Sequence, residues 1–376
     1  MTDSIANFRQ QARAWLASNV PRTAPPIDGP ESREYALAWQ GAKARGGWAG
    51  IAWPKEMGGR GASVLEQIVW FEEYVRAGAP SPLDPTFVAV NHAGPTLMVC
   101  GTEEQKAFHL PKIVNGEAIW CQGFSEPGAG SDLAGVKTRG TVDGDQLVIE
   151  GHKIWCSFAD IADYQELVIR TGAAGDKASK ALSWVICPMN APGITVRPIR
   201  TMAGAFKFCE VFYDSVRIPL SNVVGGLNKG WATAMSTLAF ERGTSSLAQL
   251  LALLQKVEWL LSACPRDRPH MRARIAQLRA EGAAIRAMTY RVALDSAEST
   301  PDSSGSLARL AFAEFAQRVN TAALELFGID APEVVGDHGI GHDYLDAFSE
   351  TIAGGTSEIQ RNIIGERVLG LEKGPR

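Results

Sequence analysis

Four short stretches of the chain carry residue types that could do chemistry. The first, CQGFSEPGAGSDLAG (residues 121–135), combines Gly128 and Gly130 with Ser125 and Ser131. Glycines without a Cβ let a backbone approach a flat or phosphorylated ligand closely, and the hydroxyls add donors. The spacing is not that of the dinucleotide fingerprint and no βαβ unit surrounds it, so a plain glycine-rich turn between strands remains the alternative. The second, GGTSEIQRN (residues 354–362), places Ser357 and Gln360 at the spacing of a capping box ahead of an apolar helical run. A glycine pair feeding a capped helix start presents free N–H groups and the positive end of a dipole to an anionic group, while an ordinary capped helix needs no ligand at all.

The third is Glu241, in STLAFERGTSS. At helical spacing Ala234, Leu238, Glu241 and Ser245 share a face, which sets a carboxylate in a stripe of small or apolar groups. A carboxylate so placed is either partnered or pushed towards its neutral form, as catalytic bases are; a surface Glu beside Arg242 is the competing explanation. The fourth is Trp155, in GHKIWCSFAD, followed by Cys156 and Ser157 where a strand run ends. Such an aromatic can stack on a ring, or it can fill a core. Cys156 has no basic neighbour in sequence and is given no role as a nucleophile.

These residues need elements to position them. The chain has 376 residues, 45% hydrophobic and 21% charged, which is globular composition with room for two or three folded units. A net charge of −4 leaves no basic footprint for nucleic acid. No apolar run is long enough to span a membrane, and the start, MTDSIANFRQQARAWL, lacks the basic-then-apolar pattern of a signal peptide. The six cysteines form no CxxC pair and the six histidines show no metal-ligand spacing, so neither a disulfide framework nor a metal site is expected, and a cytoplasmic, reducing address fits.

Residues 1–118 read as a helical unit, with amphipathic runs SIANFRQQARAWL and LEQIVWFEEYVRAG, a Gly/Pro-rich loop between them, and a capped turn TEEQKAFHLPKIVNGE expected to break at Pro111. Residues 119–225 carry short apolar runs separated by Gly, Pro and Asp, the pattern of an antiparallel sheet or small barrel, with the proline-ended VRIP expected at an edge. From 226 to 376 the period is helical again, including a run of about 35 residues from Gly230, a second long helix and a third, with ESTPDSSGS as connector. Long helices with broad apolar faces pack as a bundle, giving the order helices, β insert, four-helix-type bundle.

Taken together, WPKEMGGRG (53–61), CQGFSEPGAGSD, GHKIWCS, CEVFYDSVRIP (209–219) and GGTSEIQRNIIGERVLGL (354–371) resemble the acyl-CoA dehydrogenase family over essentially the whole chain. The resemblance implies a mainly α fold with a middle β domain, FAD held between the domains and across a subunit interface, an acyl-CoA substrate and an electron-transfer flavoprotein as acceptor. It implies that the backbone at Phe124, Ser125 and Glu126 and the Ser125 side chain lie along the flavin, with Ser131 reaching flavin or pantetheine. Trp155 would flank the isoalloxazine and Ser157 stand near N5. Thr356, Ser357 and Glu358 would follow the ribityl and pyrophosphate part, and Gly355 would contact the thioester.

The reaction across Cα–Cβ needs a base for the α proton. In many members it stands immediately before the Gly-Thr of the tail; here that residue is Gly354. Other members carry it on the first long helix of the bundle, just before an Arg, and this chain has Glu241 and Arg242 there. The resemblance therefore implies Glu241 as base and Arg242 as a contact to the CoA moiety or to the carboxylate. The family's Arg-x-x-Phe-Gly turn is replaced by DRPHMRAR, leaving Arg268 as the candidate for the pyrophosphate contact across the interface, and its later Gly-Gly-x-Gly is reduced to Gly328. These departures resemble the branch that assembles as α2β2 heterotetramers acting on CoA thioesters of steroid side chains or other bulky acids; a homotetramer is the alternative. Two further readings use the same residues, a flavin oxidase or monooxygenase on this scaffold and a non-catalytic partner subunit.

Overall fold

Capping chemistry starts the helices that were legible in the N-terminal third. The computed structural model describes residues 2–173, 175–241, 246–298, 305–328 and 339–373. Its first helices are α1 (Thr2–Asn19), α2 (Gly29–Arg45), α3 (Val64–Arg76), α4 (Gly94–Cys100) and α5 (Glu103–Val114). At the start of α3, Ser63 accepts from the Glu66 N–H while Glu66 accepts from the Ser63 N–H at 2.7 Å; Thr102 and Gln105 do the same for α5. The expected break at Pro111 does not occur, because α5 runs through it. The proline forfeits one helical hydrogen bond, but the capping box fixes one end and buried Leu110, Ile113 and Val114 hold the other against the core.

The middle third forms an eight-stranded sheet among the described residues, from β1 (Trp120–Gly123), β2 (Arg139–Asp143), β3 (Gln146–Ser157), β4 (Tyr164–Arg170), β5 (Leu182–Pro188), β6 (Ile194–Ile199), β7 (Phe208–Pro219) and β8 (Val223–Val224). The order is β6-β7-β3-β2-β4-β5-β8, with β1 paired parallel to β4. The ladders β2–β3, β3–β7, β4–β5, β5–β8 and β6–β7 are antiparallel, as the turn-rich sequence implied. VRIP keeps the edge expected of it: β7 lies between β6 and β3, but β6 pairs only as far as Tyr213, so Val216 to Pro219 are bonded on the β3 side alone. Pro219 is tolerated because it is the last residue of the strand, opposite Gln146, where the ladder needs no further donor.

The last third is helical: α6 (Gly230–Glu241), α7 (Ser246–Ala263), α8 (Pro269–Glu298), α9 (Gly305–Phe327), α10 (Ile340–Asp346) and α11 (Ser357–Ile363). The run expected as one helix from Gly230 is helical on both sides of residues 242–245, which lie outside the described residues, as do most of the ESTPDSSGS connector and residues 329–338.

The cores do not follow the three blocks of sequence. One joins Phe8, Leu16, Trp39, Trp70 and Tyr74 of the first helices to Leu250, Val257, Leu260, Phe315 and Val319 of α7 and α9. A second runs from α4 and α5 through Trp120, Phe124 and Trp184 to Ala234 of α6. The third fills the sheet, with Leu147, Ile149, Leu167, Val211 and Val216. α6 thus belongs to the sheet side of the molecule. Gly230 lets it pass against β5, where a Cβ would stand 2.3 Å from the Trp184 nitrogen.

Candidate active site

The loop after β1 is built around a buried ion pair. Lys153, fully buried on β3, donates to a Glu126 carboxylate oxygen at 2.8 Å and to the Phe124 carbonyl at 2.9 Å. The same carboxylate accepts from the Lys137 and Thr138 N–H groups at 2.7 and 2.8 Å. Burial opposes its charge, but the ammonium and these donors outweigh it and hold the Glu126 carboxyl below its ordinary range; burial pulls the Lys153 ammonium down. Glu126 and Ala129 exchange backbone hydrogen bonds, closing the turn. The side chains of Phe124 and Glu126 therefore face into protein, and what they leave to a ligand is backbone.

Trp155 is presented by a fault in the ladder. From Lys153 opposite Val211 to Cys156 opposite Cys209, β3 spends one residue more than β7. Trp155 takes the left-handed conformation there, at φ 61°, and its ring stands 56% exposed. It is not the core tryptophan that its type alone would suggest. The Ile154 N–H donates to the Ser125 carbonyl at 3.0 Å, so the loop and the exposed ring are locked side by side. A Cβ at Gly128 or Gly130 would meet nothing within 4 Å, which leaves open space over the loop. Ser131 is exposed and Ser157 partly so.

The cysteines beside this site are inert. All six are free, and burial pushes the Cys156 thiol up to about 12, the direction opposite to that of an activated nucleophile.

The tail corrects the expected capping box. The N-cap of α11 is Thr356, whose hydroxyl accepts from the Ile359 N–H, and Ser357 is the first helical residue. The Ser357 hydroxyl is buried without a hydrogen-bond partner, and Gln360 donates back to the Gly354 and Gly355 carbonyls at 3.1 and 3.2 Å instead of to a cap. Gly354 and Gly355 both have left-handed φ, 63° and 91°. Glu358 is exposed; its own N–H and the Thr356 hydroxyl hold its carboxyl below the ordinary value.

Glu241 ends α6. Residues Thr233, Ala234 and Thr237 of that helix are buried and Leu238 packs on the same core, and the Thr237 hydroxyl lies 2.9 Å from that of Thr96 on α4. Position 241 follows Thr237 by four residues, about one helical turn. Arg242 lies outside the described residues. Arg268 is exposed at the α7–α8 turn and donates to the Leu326 carbonyl at 2.8 Å.

Sequence reasoning missed Lys153 and the set formed by Gln249, Arg309 and Glu350, and it gave Gln360 a capping role in place of its bonds to the Gly354 and Gly355 carbonyls. A Lys two residues before Trp155 and a Gln at the fourth position of the tail helix were visible, but their partners lie far along the chain or on backbone. The sheet and the tail are tied by Lys207, whose ammonium lies 2.6 Å from the Asp346 carboxylate on α10.

The chain thus runs helices, sheet, helices, with an exposed aromatic beside a glycine-rich loop of the sheet. Models of the acyl-CoA dehydrogenase N-terminal, middle and C-terminal domains match residues 2–117, 121–216 and 228–369. The protein is 36% identical to acyl-CoA dehydrogenase IpdE1 of Mycobacterium tuberculosis over 98% of both chains. Among solved structures it resembles the Tcur3481-Tcur3483 steroid ACAD (TM-score 0.87, 31% identity, 99% of this chain and 98% of that one). It also resembles the ChsE4-ChsE5 complex from Mycobacterium tuberculosis (TM-score 0.82, 31% identity, 100% and 99%). The chain belongs to the acyl-CoA dehydrogenase family, whose members are FAD-dependent oxidoreductases.

Proposed function

We propose that this enzyme dehydrogenates an acyl-CoA thioester across Cα–Cβ, with Glu241 taking the α proton, and passes electrons to an electron-transfer flavoprotein. One observation carries the choice of base. The tail position before Gly355 is a glycine in the left-handed region, whereas α6 ends on a glutamate four residues after buried Thr237.

The loop fits a flat ring: Trp155 is held out on a bulge, the Ser125 carbonyl is bonded to the neighbouring Ile154 N–H, and the glycines leave the approach clear. The unpartnered Ser357 hydroxyl fits a polar ligand along the tail. Bound FAD supplies the hydride acceptor; the protein binds, orients and manages the proton. Ser125, Ser131, Trp155, Ser157 and the backbone at Phe124 and Glu126 would hold the flavin from the sheet, and Thr356, Ser357 and Glu358 from the tail. The Gly355 backbone would polarise the thioester carbonyl, making the α proton acidic enough for a carboxylate near neutral pH. Arg242 would serve the CoA moiety or the carboxylate.

Relatives whose names or titles specify steroid ACADs support a bulky, steroid-type acyl group as substrate, in lipid or steroid catabolism. An α2β2 heterotetramer is supported by the Arg268 contact to this chain's own Leu326 carbonyl, with a homotetramer as the alternative. The test is anaerobic mixing with short, long and steroid-bearing acyl-CoAs while flavin absorbance is followed. Bleaching by the steroid class is expected. Bleaching by short straight chains alone would overturn the substrate assignment, and rapid reoxidation in air would point to an oxidase. A colourless preparation that takes up flavin only with a second subunit would identify the heteromer.

A further inference from the structure

The helix that follows Glu241 and the Gly354–Gly355 turn are joined by a small polar bridge. Arg309, in the first turns of α9, donates to a Glu350 carboxylate oxygen at 2.9 Å, to the Glu350 carbonyl at 2.7 Å and to the Ala353 carbonyl at 2.9 Å. The other Glu350 oxygen accepts from Gln249 of α7 at 3.3 Å. Further along α9, Gln317 donates to the Thr351 hydroxyl at 3.0 Å. One guanidinium thus grips the chain at two carbonyls over residues 350–353, immediately before the turn, and its carboxylate partner reaches across to α7. Gln360 closes the other side of the turn.

A planar fork can fix two backbone carbonyls and a carboxylate at once; an ammonium cannot. Arg309 and Glu350 are four-fifths buried, so their bonds are shielded from water, but the pair is not sealed in the core where removing it would unfold the protein. Stability alone does not call for so many bonds on four residues that end a short 3-10 helix and enter a turn. Position does, because the turn and the base come from different elements and their offset decides whether proton removal and carbonyl polarisation act on one substrate.

We infer that Arg309, with Glu350 and Gln249, is a positioning residue that fixes the Gly354–Gly355 turn against α9 and against α7, the helix that follows the base-bearing α6 in the chain. This deepens the reading of Glu241 as base and rests on it. The bridge touches no reacting atom. It acts by holding the thioester-facing backbone at a fixed offset from α7 and α9.

The test uses the flavin-loaded enzyme, alone or with its partner subunit, in wild-type form and as Arg309→Gln, Arg309→Lys, Gln249→Ala and Glu241→Gln. Flavin content, melting temperature, the pH profile of kcat and KM, and the flavin spectral shift on titration with a non-reacting thioether analogue are read. Arg309→Gln is expected to lower kcat by about tenfold or more with KM little changed, as for loss of transition-state alignment. It should also move the acidic limb of the profile and weaken the spectral shift, at unchanged flavin content. Arg309→Lys should not restore these, and Gln249→Ala should show the same changes at smaller size. Gln249→Ala keeps Arg309 and Glu350 intact and decides the matter if Arg309→Gln fails to fold. A wild-type profile in Arg309→Gln and Gln249→Ala, with Glu241→Gln inactive, would overturn the bridge and leave the base standing. Full turnover in Glu241→Gln would overturn the base, and the bridge's role with it.

Discussion

The two glycine-bearing segments of the site are built on opposite plans. The loop after β1 is braced from beneath by a buried charge pair, Lys153 and Glu126, inside the sheet's own fold. The tail before α11 is held by single side chains from its two flanks, buried Gln360 on one and the largely buried Arg309 on the other. The loop is therefore tied to the stability of the sheet, whereas the placement of the tail rests on side chains of α9 and α11. The first plan suits a surface on which a tightly held ring lies; the second suits a turn whose placement tunes chemistry.

The largest effect that would break this contrast lies under the loop. Lys153→Met leaves the Glu126 carboxylate buried without its cation and is expected to cost about 3–5 kcal/mol, as removal of one member of a buried pair does. Denaturant unfolding measures it, and a loss under about 1 kcal/mol would show that the brace is not the support described. Next in size is Trp155→Ala. Half-exposed and outside the core, it should change stability by no more than about 0.5 kcal/mol while weakening flavin retention by roughly tenfold, the scale of one lost stacking face. A drop in melting temperature with flavin retention intact would make Trp155 a structural residue.

On the tail, Gly354→Ala forces a Cβ into φ 63° and is expected to cost about 1 kcal/mol. The loss should appear mostly in kcat, and its absence from both stability and turnover would show that the left-handed turn matters little. The smallest effect is the pH dependence of the brace. Because the Glu126 carboxyl is held below its ordinary value in the fold, the unfolded chain takes up that proton first as pH falls. Its stabilisation is present above the ordinary carboxylate range and declines as acidification passes down through the depressed value. The melting-temperature difference between wild type and Glu126→Gln should shrink over that interval; a difference independent of pH would contradict the assignment.

Much of this was legible in the sequence because it is local. Ser63 with Glu66 and Thr102 with Gln105 start helices through neighbours three residues away. The alternation of apolar runs and turns from residue 119 marks strands for the same reason. What escaped depends on distant partners. Pro111 is carried through α5 by packing on residues of other elements. Trp155 is exposed by a one-residue mismatch with a strand more than fifty residues on, which no local pattern encodes. The tail misled in a different way. Thr356 and Ser357 are both competent caps, and only the backbone geometry shows that Thr356 takes the role while Gln360 turns back to the glycines.

The account stands or falls on which carboxylate removes the α proton. The most direct measurement is the rate of anaerobic flavin bleaching by a saturating acyl-CoA substrate in Glu241→Gln against wild type, at equal flavin content. A fall of about a thousandfold is expected for loss of a general base, with thioester binding retained. Bleaching at the wild-type rate would contradict it and place the base elsewhere, in this chain or in a partner.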